Sequence, residues 1–542
     1  MTWPGAAPRH VLAAAAVLLT ALSVAVFAAV SACGDPAIVA PIGAAGPFVD
    51  LHHTLTPAMM KAVCWVAAVT GGAGVTAGLA AVRRGWRPRS GLILAACAVA
   101  TVVFVFVPPA ASVDVQNYAE YGRIVVLGHN PWVMTPQRLH ELRDPVGLLA
   151  PPQWRGQPTV YGPVATVLEA AAALLGGASM AWIAFWIKLT NGVCYLATAV
   201  VLDRLARPDP VRRARAALLW AVNPLMLFWM VAGAHTDLLA VLPLLLALLA
   251  ARRARGTGRS TALAAGMSGV LAGIAIAVKV TFAGPAAGLA AGLAVGRRGA
   301  GQHGGVSLGA WLAGGTRGAR RHGGVSLGAW LAGAALVLAG GYAVAGLAAV
   351  KSLSQRLSSA NDSFLPLPGA VYLHPALYTA VTVAAVGIVG GVLARRLPPA
   401  QAGLPETRPM LVCALAVVLG GIVQYPWYDS MFFPLLALLP ATRLDGWLVG
   451  RITVISGLLL PGVGITVFQY REVRVAAPVF LVLFLAAAAR GRLTAGYVQD
   501  GRPGERTVQP ASAQAAASSV QRASTSTGRA TTDFSAAGSM DR

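Results

Sequence analysis

Charge is what this chain has least of. Asp, Glu, Lys and Arg make up 11% of its 542 residues while 56% are hydrophobic, and the mean hydropathy is +0.67; soluble domains carry roughly 25% charged residues. No soluble domain of any size fits between the apolar runs. Phosphate-binding loops of the GxxxxGK[ST] kind, HExxH helices and Cys/His metal spacings are missing too. The five cysteines, Cys33, Cys64, Cys97, Cys194 and Cys413, are scattered without a CxxC pair, which supports buried structural thiols and neither a disulfide nor a metal site. Acidic residues are scarcest of all, 19 against 42 basic ones, for a net charge of +23. In a soluble protein that excess would suggest nucleic acid, but here the basic residues flank apolar runs in short clusters and report orientation in a bilayer instead.

What is present is a series of apolar runs near the roughly 20 residues a helix needs to cross a bilayer. The expected fold class is all-α, a polytopic transmembrane helix bundle. Spans fall near 11–31, 58–82, 90–110, 180–202, 216–232, 237–251, 261–279, 281–296, 330–350, 373–394, 409–424, 430–442, 452–469 and 475–490, about fourteen crossings by that length rule. Arginine clusters at 83–89, 204–215, 252–259, 297–321, 395–408, 443–451 and 490–492 mark the cytoplasmic side. Residues 1–10 are then a cytoplasmic N-terminus, 11–492 a membrane domain and 493–542 a Ser/Thr/Ala-rich disordered cytoplasmic tail. The first run resembles a signal peptide and is read as an uncleaved span. Residues 296–314 are nearly repeated at 315–333 (HGGVSLGAWLAG in both), a local duplication read as a longer cytoplasmic loop. A full span at 162–175 would move the 204–215 arginines outside, so that run is read as a short interfacial or re-entrant helix on the outer face. The outer loop 111–163 precedes and includes its start.

That loop gathers Asp114, Tyr118, Glu120, Arg123, Asn130, Trp132, Trp154, Arg155 and Tyr161, the composition of a binding surface. Ionisable groups at other span ends are functional candidates as well: His235 and Asp237 in GAHTDLL, Lys279 in AVKVTF, and Tyr425, Trp427, Tyr428 and Asp429 in QYPWYDS. A carboxylate such as Asp114 can take the proton of a hydroxyl nucleophile. Lys279, Arg123 or His235 could neutralise a leaving phosphate. Aromatic faces suit sugars and the membrane interface alike. Plainer roles stand beside these: Asp114 as a helix cap, Lys279 snorkelling to the interface, His235 and Asp237 satisfying each other, and the rings as an interfacial belt.

Taken in order, SVDVQNYAEYGRIVVLGHNPW at 112–132, DP at 144–145, Trp154, YGP at 161–163, NPLMLFWMVAGAHTDLL at 223–239, the lysine of VKVTF and QYPWY at 424–428 resemble the polyprenol-phosphate-sugar-dependent glycosyltransferases of the GT-C superfamily. The nearest likeness is to actinobacterial polyprenol-phosphomannose-dependent alpha-1,6-mannosyltransferases that elongate lipomannan. The resemblance implies a plasma-membrane enzyme with a long first catalytic outer loop and an active site facing outside. It implies an inverting transfer of mannose from a polyprenyl phosphomannose donor to a mannan or lipoglycan acceptor. Asp114 matches the family's acidic catalytic residue. Tyr118, Arg123, Asn130, Trp132, Tyr161, His235, Asp237, Lys279, Trp427 and Tyr428 are the expected substrate-binding residues. No cofactor or divalent ion is indicated. Two positions depart from the pattern: Thr236 where relatives tend to carry Asn, and Asp429 where an apolar residue is expected. An arabinofuranosyl or alpha-1,2-mannosyl relative, or a transporter or flippase of lipid-linked sugars, stays open at this point, although charges at span ends and the lack of a two-half repeat favour an enzyme.

The orientation has a direct check. In His140→Cys, an impermeant maleimide should label position 140 in intact cells; labelling only after permeabilisation would place the loop inside.

Overall fold

The computed structural model describes residues 8–43, 46–254, 258–295, 320–358, 375–400, 404–421, 425–462 and 471–491. Among the described residues there is no strand, only an isolated bridge between Val39 and Ala110. The chain is an all-α membrane protein. Apolar runs form α1 (Arg9–Ala32), α2 (Pro57–Arg83) and α3 (Ser90–Phe106); the polar segment then forms α4 (Asp114–Val126), α5 (Pro136–Glu141) and α6 (Pro163–Gly176). Next come α7 (Met180–Ala206), α8 (Pro210–Ala216), α9 (Pro224–Leu227), α10 (Asp237–Arg253), α11 (Arg259–Val278) and α12 (Ala283–Val295). The rest is α13 (Arg320–Ala345), α14 (Leu347–Ser358), α15 (Pro375–Arg396), α16 (Thr407–Gly420), α17 (Phe433–Leu438), α18 (Arg443–Leu459) and α19 (Arg471–Ala489).

By length and composition, α1, α2, α7, α11 and the Ser326–Ala345 part of α13 can each cross a bilayer, and the pair Pro210–Ala221 and Pro224–Ala232, bent by 41°, makes a sixth if it is one span. The bend has a local cause. Pro224 has no N–H to give and biases Asn223 away from helical angles, and the Asn223 side chain accepts from the Leu225 N–H to start the second piece. The run expected at 430–442 is not one helix but a 3-10 turn at Pro426–Met431 followed by the six-residue α17. The run at 162–175 is the separate short helix α6, packed on α4 and α7.

Close packing follows from small residues, as expected where lipid offers no hydrophobic drive between helices. At the crossing of α11 and α13 a Cβ on Gly269 would lie 1.9 Å from the Trp330 carbonyl oxygen, so the two backbones touch only because that side chain is absent.

One sequence expectation changes. The second copy of the duplication is not loop: from Arg320 it is already α13, because VSLGAWLAG continues into AALVLAG as one apolar run. The first copy, 296–314, lies outside the described residues, as does the tail from 493. Within the arginine clusters, Arg212, Arg215 and Arg451 are buried, with exposures of 4%, 2% and 0%. Arg215 pairs with Asp445 at 2.9 Å and donates to the Leu436, Ala437 and Leu439 carbonyls at the end of α17, satisfying groups that a helix C-terminus leaves open. All five cysteines are free.

Candidate active site

The candidate site forms where helices stop. Asp114 is the first residue of α4, its N–H donates to Ser112 Oγ, and its own carboxylate makes no capping bond. Instead Oδ2 lies 3.5 Å from Nδ1 of His235, with the Asp114 side chain 19% exposed and His235 fully buried. A backbone bond brings these two segments together, Ala110 N–H donating to the Ala232 carbonyl, while Ala111 N–H ties the first of them to the Ile38 carbonyl after α1. Ala111 and Ala234 both adopt positive φ, 70° and 56°, a conformation costly for a residue with a Cβ and held here by the surrounding bonds.

α7 fixes the same junction from behind. Lys188 donates to the Val107 carbonyl at the end of α3, and Asn191, one turn on, donates to the carbonyls of Met230 and His235 at 3.2 and 3.1 Å. Neither residue was singled out from sequence. Their signal was there: two polar side chains at i, i+3 spacing inside an apolar run.

The second half of the site is built on α10 and α11. Asp237 opens α10 and Lys279 follows the last residue of α11; Lys279 Nζ meets Asp237 Oδ2 at 2.8 Å, with the lysine side chain 12% exposed and the aspartate buried. Tyr161 reaches this corner because Gly162 N–H donates to the Val278 carbonyl. A Cβ on Gly162 would stand 2.1 Å from the Ala277 carbonyl oxygen, so glycine is required there, and Pro163 then starts α6. The Lys279 ammonium lies 4.3 Å from the Tyr428 ring centre and 5.9 Å from that of Tyr161.

Tyrosine links the halves. The Tyr161 hydroxyl donates to that of Tyr118 at 3.5 Å, their rings meeting edge to face. Burial first, then the charges of Asp114 and Asp237, push the Tyr118 phenol well above its ordinary range, so it stays protonated. Trp427 stacks on His235 at 3.9 Å, and Tyr425 stacks on Trp427 at 4.2 Å; Trp229 packs against Trp427 at 5.6 Å. Among the described residues no group of three or more His, Cys, Asp or Glu is placed to hold a metal ion.

The structure thus brings together Asp114, Tyr118, Tyr161, His235, Asp237, Lys279, Trp427 and Tyr428. His235 and Asp237 do not satisfy each other, and Lys279 does not snorkel. Three expected residues do other things. Arg123 forms a two-pronged pair with Asp144 at 3.0 and 2.9 Å, bracing the loop. Asn130 accepts from the Trp132 N–H in a local turn. Trp132 holds the site indirectly, donating through Nε1 to the Tyr161 carbonyl at 3.1 Å.

Breaking the Lys279–Asp237 pair from one side should show its weight. Lys279→Met strands a buried carboxylate, a loss of about 3–5 kcal/mol; Lys279→Met with Asp237→Asn should recover most of the lost thermal stability in detergent. Equal destabilisation in the single and double variants would mean the two charges are not coupled.

Comparison with known proteins fits this geometry. Residues 9–295, just over half of the chain, match the family described as alpha-(1->6)-mannopyranosyltransferase, N-terminal domain. Over 149 residues the chain is 32% identical to a Mycolicibacterium smegmatis protein named probable alpha-(1->6)-mannopyranosyltransferase. That stretch is 27% of this chain and spans about a quarter, 26%, of that relative. No solved structure matches the chain significantly. With Asp114, the His235 turn and Lys279 all inside the matched residues, the chain belongs to the alpha-(1->6)-mannopyranosyltransferase family.

Proposed function

We propose that this protein is a mannosyltransferase of the plasma membrane that moves mannose from a polyprenyl phosphomannose donor to a mannan or lipoglycan acceptor on the outer face, with inversion. The observation that carries the reading is that a partly open carboxylate, Asp114 beside His235, and a partly open cation, Lys279 beside Asp237, line one aromatic site linked through Tyr118 and Tyr161. A soluble sugar-nucleotide domain is absent among the described residues, and an apolar chain suits a lipid donor.

In this mechanism Lys279 takes the donor phosphate. Its charge is shared with Asp237, so the ammonium is held in place before the ligand arrives and need not be ordered on binding. Partly exposed Tyr428 offers an aromatic contact for the sugar, backed by Trp427, which is itself stacked on His235 and Tyr425. Asp114 accepts the proton of the acceptor hydroxyl as its oxygen bonds to the anomeric carbon. The bond from that carbon to the phosphate oxygen breaks, and polyprenyl phosphate leaves with the electron pair, its charge balanced by Lys279. Attack opposite to the leaving group turns a beta-linked mannosyl phosphate into an alpha linkage. His235, 3.5 Å from Asp114 and stacked on Trp427, orients the carboxylate toward the acceptor.

The test is transfer from synthetic polyprenyl phosphomannose to a mannan acceptor. Asp114→Asn keeps the shape and removes the base, so the rate should fall by about 10²- to 10⁴-fold while polyprenyl phosphate still binds. A wild-type protein that transfers nothing, or an Asp114→Asn variant as fast as wild type, would overturn the reading. An arabinofuranosyl donor in the same assay reads the sugar preference.

A further inference from the structure

One carboxylate beside the site has no part in that chemistry. Asp429 lies in the Pro426–Met431 turn, next to Tyr428 and two residues from Trp427, and is fully buried. Its Oδ1 is paired with Nη1 of Arg451, which is fully buried too. Arg451 is the ninth of the 17 residues of α18. α2 marks the two ends of that helix, Lys61 donating to the Leu458 carbonyl and Arg83 to that of Thr442. The pair therefore sits about half-way along a helix packed in the bundle, where ionised side chains are most expensive and mark function by default.

We propose that the Arg451–Asp429 pair is a positioning latch, holding Trp427 against His235 and Tyr428 over Lys279 without touching substrate. Three features carry this. The segment it fixes is short and broken, a 3-10 turn that cannot hold its own orientation as a long helix would. The two residues just before Asp429 are the ones whose rings meet the site, Trp427 at 3.9 Å from the His235 ring and Tyr428 at 4.3 Å from the Lys279 ammonium. The same helix α18 braces the stack a second time, Ser456 Oγ accepting from Trp229 Nε1 at 2.8 Å while Trp229 packs on Trp427.

The molecule supplies its own control. Arg215–Asp445 is an equally buried pair, but it anchors the far end of α17 and none of its contacts is a site residue. A latch and a merely structural pair then separate by what they move. The activity readout rests on the mannosyl-transfer reading; a ligand-free readout does not. Asp429→Asn and Asp445→Asn are compared in detergent, well below each variant's melting temperature. Asp429→Asn should raise the KM for polyprenyl phosphomannose and lower kcat/KM by about tenfold or more, as expected for a small displacement of binding groups. Asp445→Asn should change kcat/KM by no more than about threefold, as for a remote independent site. In ligand-free protein carrying Tyr428→Cys, and after subtracting the native thiols, maleimide labelling at position 428 should speed up with Asp429→Asn and not with Asp445→Asn. If either variant fails to fold, Arg451→Lys and Arg215→Lys, which keep the charge and lose the fork, should show the same contrast at smaller size. Equal effects of the two pairs on labelling overturn the latch. A wild type that transfers nothing, with the labelling contrast intact, overturns the transferase reading and leaves the latch standing.

Discussion

The candidate site depends on the ion pair between Lys279 and Asp237, in which a charge inside the apolar bundle is met by its opposite. Arg215 with Asp445, Arg451 with Asp429 and Lys279 with Asp237 each join segments far apart in sequence. An isolated charge in such an interior costs far more than a hydrogen bond returns, so each pair commits two backbones to one geometry. At Lys279 that commitment leaves an ammonium partly open, next to aromatic rings.

A second constraint explains where the site lies. A regular helix spends all its backbone groups on itself; only ends and breaks leave N–H and C=O groups, and irregular chain at that depth survives where protein buries it. Asp114 at the start of α4, His235 after the bent piece ending at Ala232, Asp237 at the start of α10, Lys279 after α11 and Trp427 in a 3-10 turn are all at such places. Side chains from the unbroken helix α7 supply the missing partners through Lys188 and Asn191. The bundle is rigid where its helices are whole and chemical where they end.

Much of this was legible. Many apolar runs gave helices, although 430–442 is broken and 452–469 is observed as Arg443–Leu459; residues interrupting the runs named five of the eight groups that meet, and the outer loop named Asp114, Tyr118 and Tyr161. A cost argument works on sequence because polar residues in apolar context need a reason. It fails where the reason is a distant partner. Arg123 looked like a phosphate ligand because Asp144, twenty-one residues away, could not be assigned to it. The pairing of Arg451 with Asp429, twenty-two residues away, is likewise not visible locally. The second copy of the duplication, expected as part of a cytoplasmic loop up to the span at 330, is helical from Arg320 because its apolar stretch from Val325 runs on into α13.

The central claim is that Lys279 and Asp114 face the two sides of one glycosyl phosphate bond. A cryo-electron microscopy structure with a non-transferable polyprenyl phosphosugar analogue tests it most directly. The account expects the phosphate within about 4 Å of Lys279 Nζ, the limit of an ion pair, with the anomeric carbon presented toward Asp114 and the ring against Tyr428. A phosphate seated away from Lys279, or a sugar turned from Asp114, would contradict it.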